Sequence, residues 1–120
     1  MLPELEAILP RVQKPARYTG GEYGEIKKNK ADVRLRFALC FPDTYEIGMS
    51  NLGLRILYGI LNGMDGVWCE RVFEPWRDMG EAMRKAGIPL YALESQVFTI
   101  SAAVRAEDRS IRISRGASFW

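Results

Sequence analysis

The chain has 120 residues, 48% of them hydrophobic, and a formal net charge of +2. These values fit one domain with a real core and exclude a disordered chain. The absence of histidine removes the commonest general base and metal ligand. The two cysteines, Cys40 and Cys69, match no zinc or cluster spacing, so buried reduced thiols and a cytoplasmic location are expected.

The N-terminal stretch has neither the basic start nor the apolar core of a signal peptide. No apolar run reaches the length of a membrane span. Residues 4–9 can form one short helix, halted by Pro10. Prolines and glycines between Pro15 and Gly24 then mark an irregular segment, so residues 1–32 read as an extension. Residues 11–36 carry eight Lys/Arg against three Asp/Glu. Such a basic region can attract an anionic partner such as RNA, although a solvated face is the simpler reading.

Residues 33–41 read as a first strand, apolar on both sides, with Leu35, Phe37 and Leu39 alternating. Pro42 ends it, for want of an N–H. A polar loop from Asp43 leads to a helix over 51–62 with Ser50 as its N-cap. Its core face is expected at Leu54, Leu57, Tyr58 and Leu61. Gly63 is expected to close it in the left-handed conformation. Residues 67–73 read as a second strand. A helix over 76–86 follows, with Met79, Ala82, Met83 and Ala86 on one face and Gly87 as its cap. Residues 89–93 read as a third strand. The order β-α-β-α-β is half of a doubly wound parallel sheet, a three-layer Rossmann-like α/β arrangement that is incomplete. Gln96 to Trp120 break the pattern, with no third crossover helix legible.

Loops at the carboxyl ends of parallel strands form the usual ligand crevice. The candidate site is therefore Asp43, Thr44, Tyr45, Glu46, Gly48, Ser50, Asn51 and Gly53. Asp43 and Glu46 are paired acids, able in principle to do acid–base work or hold Mg²⁺. Free N–H groups at Ser50–Gly53 favour an anion or a nucleotide tail. No glycine-rich phosphate loop is present, so nucleotide phosphate cradles are not supported. Asp43-Thr44-Tyr45-Glu46-Ile47-Gly48 has the form D-x-Y-x-x-G, similar to the D-x-H-x-x-G of cobalamin-binding α/β domains, with Tyr45 in the place of the cobalt-coordinating histidine.

Four stretches carry a broader resemblance: ILPRVQKPARYTGGEY at Ile8–Tyr23, FPDTYEIGMSNLGLRILYGILN at Phe41–Asn62, CERVFEPWRDM at Cys69–Met79 and GIPLYALES at Gly87–Ser95. They resemble the N-terminal region of bacterial radical S-adenosylmethionine (radical SAM) proteins that begin with a cobalamin-binding-like domain. The resemblance implies a partial cobalamin-binding-like domain over 33–95. A TIM-like barrel would follow, whose C-x-x-x-C-x-x-C holds a [4Fe–4S] cluster that cleaves S-adenosylmethionine. This chain has no such motif. It reads as a module truncated before the barrel, not catalytic alone, with 96–120 a divergent tail that a frameshift would explain.

Cobalamin binding is expected to be weak and without a histidine ligand to cobalt, since phenolate is scarce near neutral pH. The alternative is a structural or interaction module that no longer binds cobalamin and docks onto the barrel or an RNA substrate. A stand-alone enzyme using Asp43 and Glu46 ranks last.

Overall fold

The computed structural model describes residues 3–96. The expectations for the tail beyond Gln96 lie outside the described residues.

The chain opens with helix α1 (Pro3–Ile8), followed by short 3-10 turns at Leu9–Arg11, Pro15–Tyr18 and Lys30–Asp32. Strand β1 (Leu35–Phe41) leads into α2 (Tyr45–Ser50) and α3 (Leu52–Asn62). Strand β2 (Val67–Phe73) and helix α4 (Arg77–Ala86) complete the regular elements. β1 and β2 pair in parallel, from Leu35 opposite Val67 to Phe41 opposite Phe73. The parallel α/β arrangement is therefore present, as an incomplete sheet of two strands among the described residues.

β2, not β1, is the buried strand. Trp68, Cys69, Glu70, Arg71 and Val72 are all buried. Phe37 and Cys40 of β1 are exposed, so the expectation of two buried thiols is corrected at Cys40. A strand with one neighbour and a thin covering layer leaves half its surface open.

The expected third strand is reduced to a single bridge residue, Tyr91, and adds no full strand to the ladder. Residues 88–93 are largely buried beside β2: Leu90 and Ala92 pack with Val72 and Ala38, while Tyr91 and Leu93 join the main core. Leu93 N–H donates to the Arg71 carbonyl at 2.9 Å. The rest of β2's outer edge is already taken. Asn62 Oδ1 accepts from Cys69 N–H at 2.8 Å, and Asn62 Nδ2 donates to the Cys69 carbonyl at 3.0 Å. Glu94 Oε2 accepts from Arg71 N–H at 2.9 Å, and Lys28 Nζ donates to the Val67 carbonyl. Side chains thus satisfy the backbone groups that a third strand would have met.

The N-terminal extension runs along this same edge. Ile26 N–H donates to Tyr58 Oη at 2.9 Å, and the Trp68 indole donates to the Ile26 carbonyl at 3.0 Å. Tyr58 and Trp68 belong to opposite faces of the sheet region, so Ile26 bridges them across the edge. The segment read as irregular is irregular in backbone, yet it does the work of a strand.

Helix α3 is rotated from its expected setting. Leu54, Tyr58 and Asn62 are buried, at i, i+4 and i+8, while Leu57 is 49% exposed. Leu57 is not a core residue. Its N-cap is Asn51, whose Oδ1 accepts from Leu54 N–H at 3.0 Å, in place of the expected Ser50. Gly63 is right-handed at φ −75°, and the positive φ falls at Gly66 (φ 73°). α4 behaves as expected at its end: Gly87 is left-handed at φ 68°, and Met79 and Met83 are buried. These methionines meet Leu5 and Ile8 of α1 in the main core. Ala86 is exposed.

Candidate functional site

The segment expected as a polar loop is mostly helix. Pro42 stops β1, two residues turn, and α2 begins at Tyr45 with Thr44 as its extended N-cap. Asp43 Oδ1 accepts from Thr44 N–H at 2.7 Å, and the Asp43 carbonyl accepts from Glu74 N–H at 2.9 Å. The ends of both strands are thereby tied together.

The eight candidate residues scatter. Asp43 and Thr44 line an open cleft of about 250 Å³ with Glu74, Trp76, Arg77 and Arg84. Thr44 and Tyr45 also line a small internal cavity of about 20 Å³ beside Tyr18, Phe73 and Tyr91. The Tyr45 ring packs edge-on against Phe73, with centroids 5.5 Å apart. Burial raises the Tyr45 phenol above its usual pKa, and the charge of Glu22 adds to the rise, which further disfavours phenolate. Glu46 pairs with Arg17 at 2.6 Å, and that hydrogen bond holds its carboxyl below the usual range. Asp43 and Glu46 therefore do not form a carboxylate pair: one faces the cleft and the other is bound to Arg17.

The remaining four lie within α2 and at the start of α3. A Cβ on Gly48 would fall inside the Phe73 ring, so this glycine makes room for packing, not for a ligand. Ser50 Oγ donates back to the Glu46 carbonyl at 2.7 Å, a local helix bond. Asn51 caps α3, and Gly53 is exposed beside it.

Sequence reasoning missed the strongest polar constellation, which lies below this surface. Arg71 of β2 is 1% exposed by side chain, and its Nε donates to Oε1 of Glu94, 0% exposed, at 2.6 Å. Arg71 Nη1 also bonds Glu22, and its guanidinium stacks 4.9 Å from the Tyr58 ring centroid. Tyr58 Oη donates to Glu94 Oε1 at 2.9 Å. Burial works against the Arg71 charge, but the bonds to Glu22 and Glu94 outweigh it and raise its pKa. Glu25 Oε1 and Arg71 Nη2 face each other at 4.0 Å, each buried without a direct partner. On the opposite face Arg36 pairs with Glu70 and lies 5.0 Å over the Trp68 ring. The signal was present in the sequence: Glu70-Arg71 interrupts an otherwise apolar strand, and buried charges require partners.

The site can position side chains and bury ions. Among the described residues no group of His, Cys, Asp and Glu could hold a metal ion. No described helix is long and apolar enough to cross a membrane. The surround of Tyr45 is filled by the chain itself, through Arg17 on Glu46, Tyr18 against Thr44 and Tyr45, and Tyr91 Oη donating to the Tyr18 carbonyl at 2.8 Å, whereas Asp43 and Thr44 line the open cleft. Of the D-x-Y-x-x-G residues, Tyr45 and Gly48 are thus taken up by contact with Phe73, while Asp43 lines the open cleft.

No curated protein and no solved structure matches this chain. Residues 53–104 match the family model described as the N-terminal region of radical SAM proteins. The matched stretch begins within α3, after the D-x-Y-x-x-G segment, includes β2 and α4, and continues past Ser95 to residue 104. Over this stretch the chain is similar to the N-terminal region of radical SAM proteins.

Proposed function

We propose that the chain is a non-catalytic N-terminal module of a radical SAM family protein, one that has given up cobalamin and serves by docking onto the catalytic domain. The observation that carries this reading is the closed surround of Tyr45, the residue in the place of the coordinating histidine. Arg17 and Tyr18 close over Thr44 and Tyr45, leaving about 20 Å³, and the space at Gly48 is filled by Phe73. The open surface lies elsewhere. Leu52, Ile56 and Ile60 recur every four residues along the outer side of α3, Met64 follows just past its end, and all are exposed. Exposed apolar stripes of this kind mark interaction surfaces. An RNA partner draws less support, because Arg17, Lys28 and Arg36 are engaged inside the fold.

Two measurements test the reading. Hydroxocobalamin titrated against the chain is expected to leave its visible spectrum unchanged. Tight stoichiometric uptake would overturn the argument from the closed Tyr45 surround. The catalytic domain of a radical SAM protein that contains this region, added in trans, is expected to bind the wild-type chain and not an Ile56→Glu, Ile60→Glu variant. Equal binding by the variant would remove α3 as the docking face.

A further inference from the structure

The outer side of α3 has a relief as well as an apolar character. Leu54, Tyr58 and Asn62 are buried, so the opposite side centres on Leu52, Ile56 and Ile60, which form one ridge at i, i+4 and i+8. The neighbouring row holds Arg55 and Gly59. A Cβ at Gly59 would meet nothing within 4 Å, so this row is a groove beside the ridge. A ridge with an adjoining groove is the surface that a second helix fits: its own ridge enters the groove, and Leu52, Ile56 and Ile60 enter the groove of the newcomer.

Charge narrows the occupant. Arg55 is the one charged residue of the helix, and its side chain is exposed. Among the described residues its guanidinium has no partner, since every ion pair they form lies elsewhere. An arginine bordering an apolar face favours a carboxylate across an interface. A second copy of α3 offers none, because LGLRILYGILN contains no Asp or Glu and would bring only another Arg55.

We propose that α3 docks against an amphipathic helix of the catalytic domain, one whose apolar ridge fills the Gly59 groove and whose Asp or Glu meets Arg55. This rests on the reading of α3 as the docking face and adds the form and charge of what it meets.

The test uses the full chain and, in trans, the catalytic domain of a radical SAM protein that contains this region. Gly59→Leu fills the groove with a helix-favouring side chain that touches nothing in the fold, so the thermal midpoint should be unchanged or raised. Its affinity for the catalytic domain should nevertheless fall about tenfold or more. Arg55→Gln should also bind about tenfold more weakly, and should lose the weakening by salt that the wild type shows. Wild-type affinity in either variant would overturn the proposal. If Ile56→Glu, Ile60→Glu abolishes binding while Gly59→Leu does not, α3 remains the docking face but not against a helix seated in this groove. If the doubly charged variant binds like the wild type, the docking face itself is lost. A wild-type dimer in sedimentation, dissociated by Gly59→Leu with no catalytic domain present, would assign the groove to a second copy and overturn the proposal as well.

Discussion

At the residue scale, Arg71 is the position on which most depends. One guanidinium holds Glu22 and Glu94 and faces Glu25, all below the surface. Removing one partner of a buried ion pair leaves charge without compensation, at a cost of about 3–5 kcal/mol. Arg71→Met is therefore expected to lower the denaturation free energy by that amount. Adding Glu94→Gln should recover part of it, and a double-mutant cycle with no coupling would show that the two residues do not share a network. Gly48 gives a second prediction. Gly48→Ala drives a methyl into Phe73 and should cost about 1–3 kcal/mol through overpacking. Recovery on adding Phe73→Leu would assign Gly48 to packing, whereas failure to recover would leave room for a ligand role. The cysteines allow a chemical check. Burial pushes the Cys69 thiol up to about 12, and it is the thiolate that reacts. Alkylation at pH 8 should modify exposed Cys40 and spare Cys69 until the chain unfolds. Early modification of Cys69 would mean that β2 is not the buried strand.

At the element scale, the two strands and two main helices were legible because each follows a simple period and ends at a proline or glycine. What periodicity does not carry is which side of an element meets the sheet when the sheet is narrow. Leu54, Leu57, Tyr58 and Leu61 make a good stripe, yet α3 leans towards β2, where Asn62 closes the edge at Cys69. A polar residue thus sets the rotation of an apolar helix, and Leu57 turns outward. The consequence is measurable. Leu54→Ala, at 5% exposure, should cost about 2–5 kcal/mol, whereas Leu57→Ala should stay within about 0.5 kcal/mol. The reverse order would restore the periodic stripe as the core face. α2 was hidden for a similar reason. Its six residues, YEIGMS, are too few for a period, and the motif form of Asp43 to Gly48 drew attention to ligand chemistry where Phe73 packing decides the glycine.

At the scale of the whole molecule, the N-terminal segment closes the fold. Read as sequence, residues 1–32 looked like an extension, because glycines and prolines carry no period. In space they cover β2's outer edge and cap the strand ends, by Ile26 between Tyr58 and Trp68, Glu22 on Arg71, and Arg17 on Glu46. Leu5 and Ile8 add the outer layer of the core against Met79 and Met83. The two strands among the described residues offer no surplus burial with which to replace them, since small domains bury a smaller share of their surface. A chain lacking residues 1–28 would expose β2's edge and leave Arg71 with Glu94 alone. It is expected to lose its cooperative thermal transition and its near-ultraviolet circular dichroism, although β1, β2, α3 and α4 are all retained. A truncated chain that kept a sharp transition at the full-length midpoint would show that the strands and helices suffice, and that the N-terminal segment only rests on them.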